Sequence, residues 1–299
     1  MKQEFKADLI LLSITVFWGA SFPIMSVALK YIPPFSFLSL RYLISALILL
    51  PFGIKSIKNI SKDTIKAAFF IGLSLFLGSG LQLLGLLYTS PSKSGFLTGL
   101  NVIIVPLIII VIYKKVPEFK TIFGVILSIM GLAFMSYDGS FTLNIGDILT
   151  ILCAIAFAAQ ILLVDKYSNN CDIFLLTSLE MLIVGLLGLI PAIYYENMNI
   201  VINKISVSSI LYLALFCTVY AYFLQNKVQK YTDPTHAAII FLAEPVFGAI
   251  FSIFIGDKLG GNTFIGCIFI LIGMVSINMS WNIKKLFNKR NVIKKAHLN

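Results

Sequence analysis

The chain has 299 residues, of which 59% are hydrophobic and 12% charged, with a formal net charge of +10 and a mean hydropathy of +0.95. Soluble domains carry roughly 25% charged residues, and a single soluble core of this length could not bury so much apolar surface. The composition therefore excludes an ordinary soluble protein and predicts an integral membrane bundle whose main partner is the lipid bilayer.

Ten stretches are apolar enough to cross a bilayer, for which about 20 residues are needed. In chain order they cover 8–29, 34–54, 64–87, 91–113, 118–137, 145–165, 172–195, 206–226, 234–255 and 260–281. Only short loops and a basic tail remain between and after them. The sequence predicts an all-α membrane protein with ten transmembrane helices.

The first stretch resembles a signal peptide, because Lys2 and Lys6 precede an apolar run. We expect it to be retained, since the run continues to about Leu29 and is longer than a typical signal-peptide core. It also has a counterpart in the second half of the chain: Asp8 precedes the first stretch, and Asp147 precedes the sixth.

Charge placement predicts the orientation. With the N-terminus inside, 18 lysines and arginines fall on the cytoplasmic side, against four on the other side, namely Lys30, Lys93, Lys204 and Lys258. This asymmetry is typical of the positive-inside rule and predicts cytoplasmic termini in a multi-pass inner (cytoplasmic) membrane protein. The basic tail at 283–299 is interpreted as a membrane-surface segment rather than a nucleic-acid-binding one.

One phrase occurs twice. Leu-Gln at 81–82, followed after five residues by Tyr-Thr-x-Pro at 88–91, reappears at 224–225 and 231–234, an offset of 143. The repeat divides the chain into a first five-helix copy (1–140), a second (141–282) and the tail (283–299). Because five is odd, the copies are predicted to be inverted relative to each other, as in alternating-access transporters.

The sequence contains no pattern typical of an enzyme. Three of its four cysteines fall inside predicted spans, its two histidines are His236 and His297, and no pair has metal-ligand spacing. No phosphate-binding loop, dinucleotide fingerprint or serine-hydrolase motif occurs. We therefore expect no metal, no cofactor, no catalysis and no ATP-driven step.

The chain resembles the EamA family of the drug/metabolite transporter superfamily. The resemblance covers about residues 8–282 and rests on Phe17-Trp18-Gly19, Arg41 and Glu244-Pro245 within ten spans in two copies. It implies an inner-membrane carrier, usually an exporter of amino acids or other small metabolites, with a central cavity between the copies. The chain departs from the family pattern at Val102, where relatives carry proline, and has Pro106 instead. The sequence therefore leaves open the position at which span 4 is distorted.

Two polar residues are predicted to meet at the membrane midplane. Asn101 lies ten residues after Pro91, and Glu244 lies ten residues after Pro234, so both are about 15 Å deep. Pro245 also leaves the Phe241 carbonyl without its helical donor. These groups suit a substrate or proton site. The alternative is that Glu244 is a hydrogen-bonded residue that joins two helices.

Gln82 and Gln225 form a second mirrored pair, each about 9 Å inside a membrane edge. They are interpreted as gates on the two sides of the midplane, or as plain interhelical hydrogen bonds. Further candidates for the cavity lining are Trp18, Gln160, Tyr220 and Tyr222.

Arg41 is predicted near the outer face, where it either holds an anionic group or backbone carbonyls at an outer vestibule, or reaches to the headgroups. A salt bridge to Glu180, which is predicted near the inner face, is expected to be out of reach. His236 begins the ninth span and is interpreted as an interfacial residue.

The leading hypothesis is a secondary transporter that exports a small metabolite such as an amino acid, with Glu244 exchanging a proton for substrate. The alternatives are a flippase for lipids or lipid-linked precursors and, from another class, a membrane-embedded enzyme. The sequence leaves open the substrate, the energy coupling, which helix faces line the cavity, and whether the protein is a monomer or a homodimer.

Overall fold

A computed structural model describes residues 2–136, 144–255 and 260–278. The predicted tail at 283–299 and the last residues of the tenth predicted span lie outside this part of the chain. The described residues form fourteen α-helices in the following order: α1 (Lys2–Gly19), α2 (Ser21–Ala28), α3 (Pro34–Ile57), α4 (Lys62–Leu86), α5 (Pro91–Gly99), α6 (Asn101–Tyr113), α7 (Phe119–Ser136), α8 (Ile145–Tyr167), α9 (Ile173–Tyr194), α10 (Lys204–Ala214), α11 (Ala221–Val228), α12 (Pro234–Phe241), α13 (Ala243–Ile255) and α14 (Gly261–Asn278).

Eight helical stretches among the described residues are long and apolar enough to cross a membrane. They are Gln3–Ala28, Pro34–Ile57, Lys62–Leu86, Pro91–Ile112, Ile145–Tyr167, Ile173–Tyr194, Lys204–Tyr231 and Pro234–Phe251. Two further apolar helices, Phe119–Met135 and Gly261–Ser276, are shorter. These ten segments lie at the predicted positions, but only eight reach the expected length, so ten crossings stay a prediction.

Three of the spans are interrupted near their middle. Pro23 and Pro245 lack the N–H that the carbonyls of Gly19 and Phe241 would accept, and α1 and α12 end at those two residues. The break in the fourth span lies at Leu100, whose N–H bonds the Leu97 carbonyl three residues back. The distortion therefore occurs one residue beyond the mirror of the break at Leu242, which is Gly99, although Val102 replaces the family's proline and Pro106 lies further on.

The duplicated phrase forms two capped helix starts, as its residues indicate. Ser90 Oγ accepts a hydrogen bond from the Lys93 N–H, and Asp233 Oδ1 accepts one from the Thr235 N–H. Each is followed by a proline in the first turn, where no intrahelical partner is lost.

Corresponding helices of the two halves pack against each other in opposite directions. Along α3 and α9, Gly53 lies against Leu175, and fourteen residues earlier the Ser39 hydroxyl donates to the Gly185 carbonyl. Rising numbers on α3 thus meet falling numbers on α9, so these equivalent helices are antiparallel.

The α7–α14 pair is also antiparallel, and its two helices contact each other at glycines. A Cβ added at Gly131 would lie 2.6 Å from the Gly266 carbonyl oxygen, and one added at Gly273 would lie 2.9 Å from the Gly124 carbonyl oxygen. These glycines therefore allow the two helix backbones to pack closely.

Gly131→Ala is expected to lower the melting temperature, because its methyl group would force the α7 and α14 backbones apart at a cost of about 1–3 kcal/mol. Gly261→Ala is the matched control, since a Cβ there meets nothing within 4 Å. The measurement is thermal denaturation in detergent followed by size-exclusion chromatography. Equal melting temperatures for the two variants would contradict the close packing.

Candidate functional site

The helix interruptions surround a small cavity between the two halves. It has a volume of about 60 Å³, enough for roughly four waters, each of which needs about 10–15 Å³. Its lining comes from α1–α6, α8 and the segments around α11–α13. The lining residues are Trp18, Ser21, Met25, Arg41, Ser79, Gln82, Gly95, Thr98, Gly99, Asn101, Phe157, Gln160, Ile161, Tyr222, Gln225, Phe241, Leu242, Glu244 and Pro245.

Most of the lining consists of mirrored pairs. An offset of 143 relates the third and fourth spans to the eighth and ninth, and an offset of 139 relates the first span to the sixth. The lining pairs are Trp18 with Phe157, Ser21 with Gln160, Ser79 with Tyr222, Gln82 with Gln225, Thr98 with Phe241, Gly99 with Leu242, and Asn101 with Glu244. The two halves therefore contribute equivalent positions to the cavity, but the side chains at these positions differ in their chemistry.

Arg41 contributes a cation to this cavity. Its side chain is 6% exposed and bonded inside the bundle: Nε donates to Thr218 Oγ1 at 2.7 Å, and Nη2 donates to the Cys217 carbonyl at 3.2 Å. This corrects the expectation that Arg41 reaches to the headgroups, while its bond to a backbone carbonyl is one of the contacts expected of it. It lines the same cavity as Glu244.

A π-helical segment, Leu215–Tyr220, joins α10 to α11 and supplies the acceptors that hold Arg41. A π turn widens the helix and frees a backbone carbonyl from its usual α-helical partner. The Cys217 carbonyl accepts from Arg41 and also from the Trp18 indole N–H at 3.0 Å. The irregular turn thus orients two cavity residues at once.

Glu244 contributes the opposite charge and lies between two cavities. Besides the central one, it lines a second cavity of about 530 Å³ between α2, α5, α7, α13 and α14, and Gly95 and Pro245 line both. Among the described residues its carboxyl group makes no ion pair or hydrogen bond. Its mirror mate Asn101 also lines the central cavity and has a buried Oδ1 without a hydrogen-bond partner, so both residues have unused hydrogen-bond acceptors.

Two glutamine contacts border the cavity. Gln225 Nε2 donates to Gln160 Oε1 at 3.2 Å and to Gln229 Oε1 at 2.8 Å, while Gln229 donates to the Ile161 carbonyl. Gln82 Nε2 donates to Thr98 Oγ1 at 3.4 Å. Of the two predicted gates, Gln225 therefore belongs to a larger hydrogen-bonded network.

Tyr220 lies away from the cavity, which corrects its prediction. Its hydroxyl is 2.9 Å from Ser13 Oγ, and its ring packs edge-on against Phe17. Tyr222 lines the cavity instead, because residues two apart on a helix face nearly opposite directions. Sequence reasoning also missed Ser79, Thr98 and Phe157. The two repeat offsets would have indicated them as mates of Tyr222, Phe241 and Trp18.

Glu180 is fully buried, and within the described part of the chain it forms no salt bridge with Arg41. Its Oε2 accepts from Asn226 Nδ2 at 2.9 Å. Glu180 Oε1 and Asn226 Oδ1 are both buried acceptors without a partner. A proton on Glu180 would let Oε1 donate to Asn226 Oδ1 and complete a paired acid–amide contact between α9 and α11.

Glu180→Gln is expected to keep the yield and melting temperature of the protein, because a glutamine amide can replace the acid in this pair. Glu180→Leu is expected to lose about 1–3 kcal/mol by leaving Asn226 unsatisfied. Both are measured by thermal denaturation in detergent. Equal damage in the two variants would show that the contact needs a charge.

The comparisons with known proteins agree on a transporter. The sequence profile of the EamA-like transporter family matches residues 5–137 and again 144–279. The chain belongs to this family. It is 32% identical over 274 residues to an uncharacterized transporter of Archaeoglobus fulgidus, covering 91% of this chain and 86% of the relative. Its identity to the uncharacterized transporter YyaM of Bacillus subtilis is 23%, over 90% and 92% of the two chains.

The fold of this EamA-like transporter also has a match among solved structures. One protein crystal structure superposes with a TM-score of 0.76 at 14% identity, covering 91% of this chain and 96% of the other. Together with the apolar helices, these findings establish a multi-pass membrane protein of a transporter family rather than of a known enzyme family.

Proposed function

We propose that this EamA-like transporter is a secondary carrier that exports a small zwitterionic metabolite, such as an amino acid, across the cytoplasmic membrane by alternating access. It would have ten crossings in two inverted five-helix copies, with both termini in the cytoplasm. The observation that carries the substrate class is the placement of Arg41 and Glu244 on one cavity.

A cavity with one buried cation and one carboxyl group suits a ligand that carries both charges. The guanidinium of Arg41 would bind a substrate carboxylate, and Glu244 would bind an ammonium group. Trp18, Phe157 and Tyr222 line the same space, so an apolar or aromatic side chain has surfaces to pack on.

Alternating access is supported by the repeat and by the size of the cavity. The α3–α9 and α7–α14 pairs are antiparallel, which inverted copies require. The central cavity, at about 60 Å³, is far smaller than the 300–1,000 Å³ of typical ligand pockets, and the adjoining cavity of about 530 Å³ is not lined by Arg41. A substrate bound between Arg41 and Glu244 therefore requires the helices around the central cavity to move apart.

The test is counterflow in proteoliposomes with three labelled probes of one shape: phenylalanine, its N-acetyl derivative and its amide. The first has both charges, the second only the carboxylate, and the third only the ammonium group. The proposal expects uptake of phenylalanine at least tenfold above both derivatives. Equal uptake of all three would contradict the proposal that the substrate must carry both charges. Movement of a fluorescent phospholipid between leaflets, without phenylalanine uptake, would favour the flippase instead.

A further inference from the structure

Each end of the helix bundle carries a polar cluster built from mirrored positions. At the end where α5 and α8 begin, Asp147 accepts from Lys93 Nζ at 2.7 Å, from Thr89 Oγ1 at 2.8 Å and from the Asn144 N–H at 2.9 Å. Asp147 is fully buried. This Lys93 cluster, defined as Thr89, Lys93 and Asp147, is a closed ion pair between the two halves.

The mirrored cluster at the other end has histidine in place of lysine. The same offsets carry Thr89 to Thr232, Lys93 to His236, and Asp147 back to Asp8. This His236 cluster is not closed. The nearest ion-pair contact joins His236 Nδ1 to Glu4 Oε1 at 4.0 Å, while Asp8 Oδ1, Thr232 Oγ1 and His236 Nδ1 are buried and lack hydrogen-bond partners.

Both clusters lie just beyond the central cavity. Lys93 precedes the cavity residue Thr98 by five residues, and His236 precedes the cavity residue Phe241 by five. At 1.5 Å per residue each cluster is about 7.5 Å from the cavity along its helix. The His236 cluster connects the N-terminal parts of α1 and α12, and the Lys93 cluster connects the N-terminal parts of α5 and α8.

We propose that the His236 cluster is a proton-binding site that closes the cytoplasmic end of the transport pathway. A proton on the imidazole makes His236 a cation like Lys93 and places a donor on both ring nitrogens, so His236 can bond the Asp8 carboxylate and the α1–α12 contact tightens. When the proton leaves, this end can open. The assignment of this end to the cytoplasm rests on the proposed function.

The charged groups around His236 indicate which carboxylates can accept a hydrogen bond from it. The groups that act on it are Asp233, Lys120, Asp8 and Glu4. Asp233 Oδ1 already accepts from the Thr235 N–H at the start of α12. Lys120 Nζ already pairs with Glu118 Oε2 at 3.2 Å. Asp8 on α1, whose buried Oδ1 lacks a hydrogen-bond partner, is therefore the acceptor for a protonated His236, and Glu4 Oε1 lies 4.0 Å from His236 Nδ1.

The test measures access to the cavity and needs no substrate. In a background without the native cysteines, Ile161→Cys reports on the cavity, and the exposed position Lys62→Cys corrects for the pH dependence of thiol chemistry. Both are labelled from the N-terminal side with a membrane-impermeant maleimide at pH 5.5 and pH 8. Gln160→Cys serves as a second reporter if Ile161→Cys does not purify.

The proposal expects corrected labelling with native His236 to fall at least fivefold at the lower pH. His236→Gln should label strongly at both pH values and His236→Lys weakly at both. Lys93→His should make labelling of Ser79→Cys from the opposite side pH-dependent. Wild-type behaviour in His236→Gln would overturn the proposal. An intact response without phenylalanine uptake would overturn the proposed substrate alone.

Discussion

Arg41→Gln is expected to reduce phenylalanine uptake in proteoliposomes on the order of 100-fold. The substitution removes the cation from the cavity and leaves the Cys217 carbonyl and the Thr218 hydroxyl without the guanidinium donors at 3.2 and 2.7 Å. A 100-fold loss corresponds to about 2.8 kcal/mol, within the range for truncating a buried charged partner.

Two related variants test whether uptake depends on the hydrogen-bonding geometry of Arg41 as well as on its charge. Arg41→Lys should recover little, since an ammonium lacks the planar fork that bonds both acceptors. Thr218→Val keeps the charge but removes one hydrogen bond to it, so a loss of about tenfold is expected. The amide of phenylalanine, which has no carboxylate, is the control probe: its slow uptake should be unchanged in Arg41→Gln. Normal uptake of phenylalanine by this variant would contradict the assigned role.

Glu244→Gln is expected to abolish uptake driven by a pH gradient, again on the order of 100-fold. A glutamine of nearly the same size cannot exchange a proton and cannot balance a substrate ammonium group in a desolvated cavity. Uptake is followed with an imposed pH gradient of either sign. Gradient-driven uptake at the normal rate in this variant would contradict proton exchange at Glu244.

Asn101→Ala provides the matched comparison, because Asn101 is the mirror mate of Glu244 on the same cavity. Loss of its amide should slow uptake, yet the response to the pH gradient should persist. A variant at each of two symmetry-related positions thus separates the carboxyl group's chemistry from the shape of the site.

The midplane pair shows how far repeat arithmetic reaches. The capped junctions at Pro91 and Pro234 indicated the depth of Asn101 and Glu244, and the structure places both on one cavity. Depth follows from residue count, because helical rise is constant. The same offsets would have indicated Phe157 from Trp18 and Ser79 from Tyr222.

Arg41 and Tyr220 show where this reasoning ends. Residue count predicts how deep a side chain lies but not toward which neighbour it points. The π-helical segment at Leu215–Tyr220 also shifts the phase of the helix, so regular periodicity does not predict that Tyr222 rather than Tyr220 faces the cavity.

By itself, the sequence determined the solvent, the apolar segments, the duplication and the paired polar residues, because these depend on composition and spacing along one chain. Only the tertiary structure decided that Arg41 and Glu244 share a cavity, that Cys217 holds Arg41, and that the two end clusters differ in closure. In a bilayer, lipid and protein interior are both apolar, so an apolar helix face does not reveal whether it packs inward or outward. Contacts between helices settle that choice.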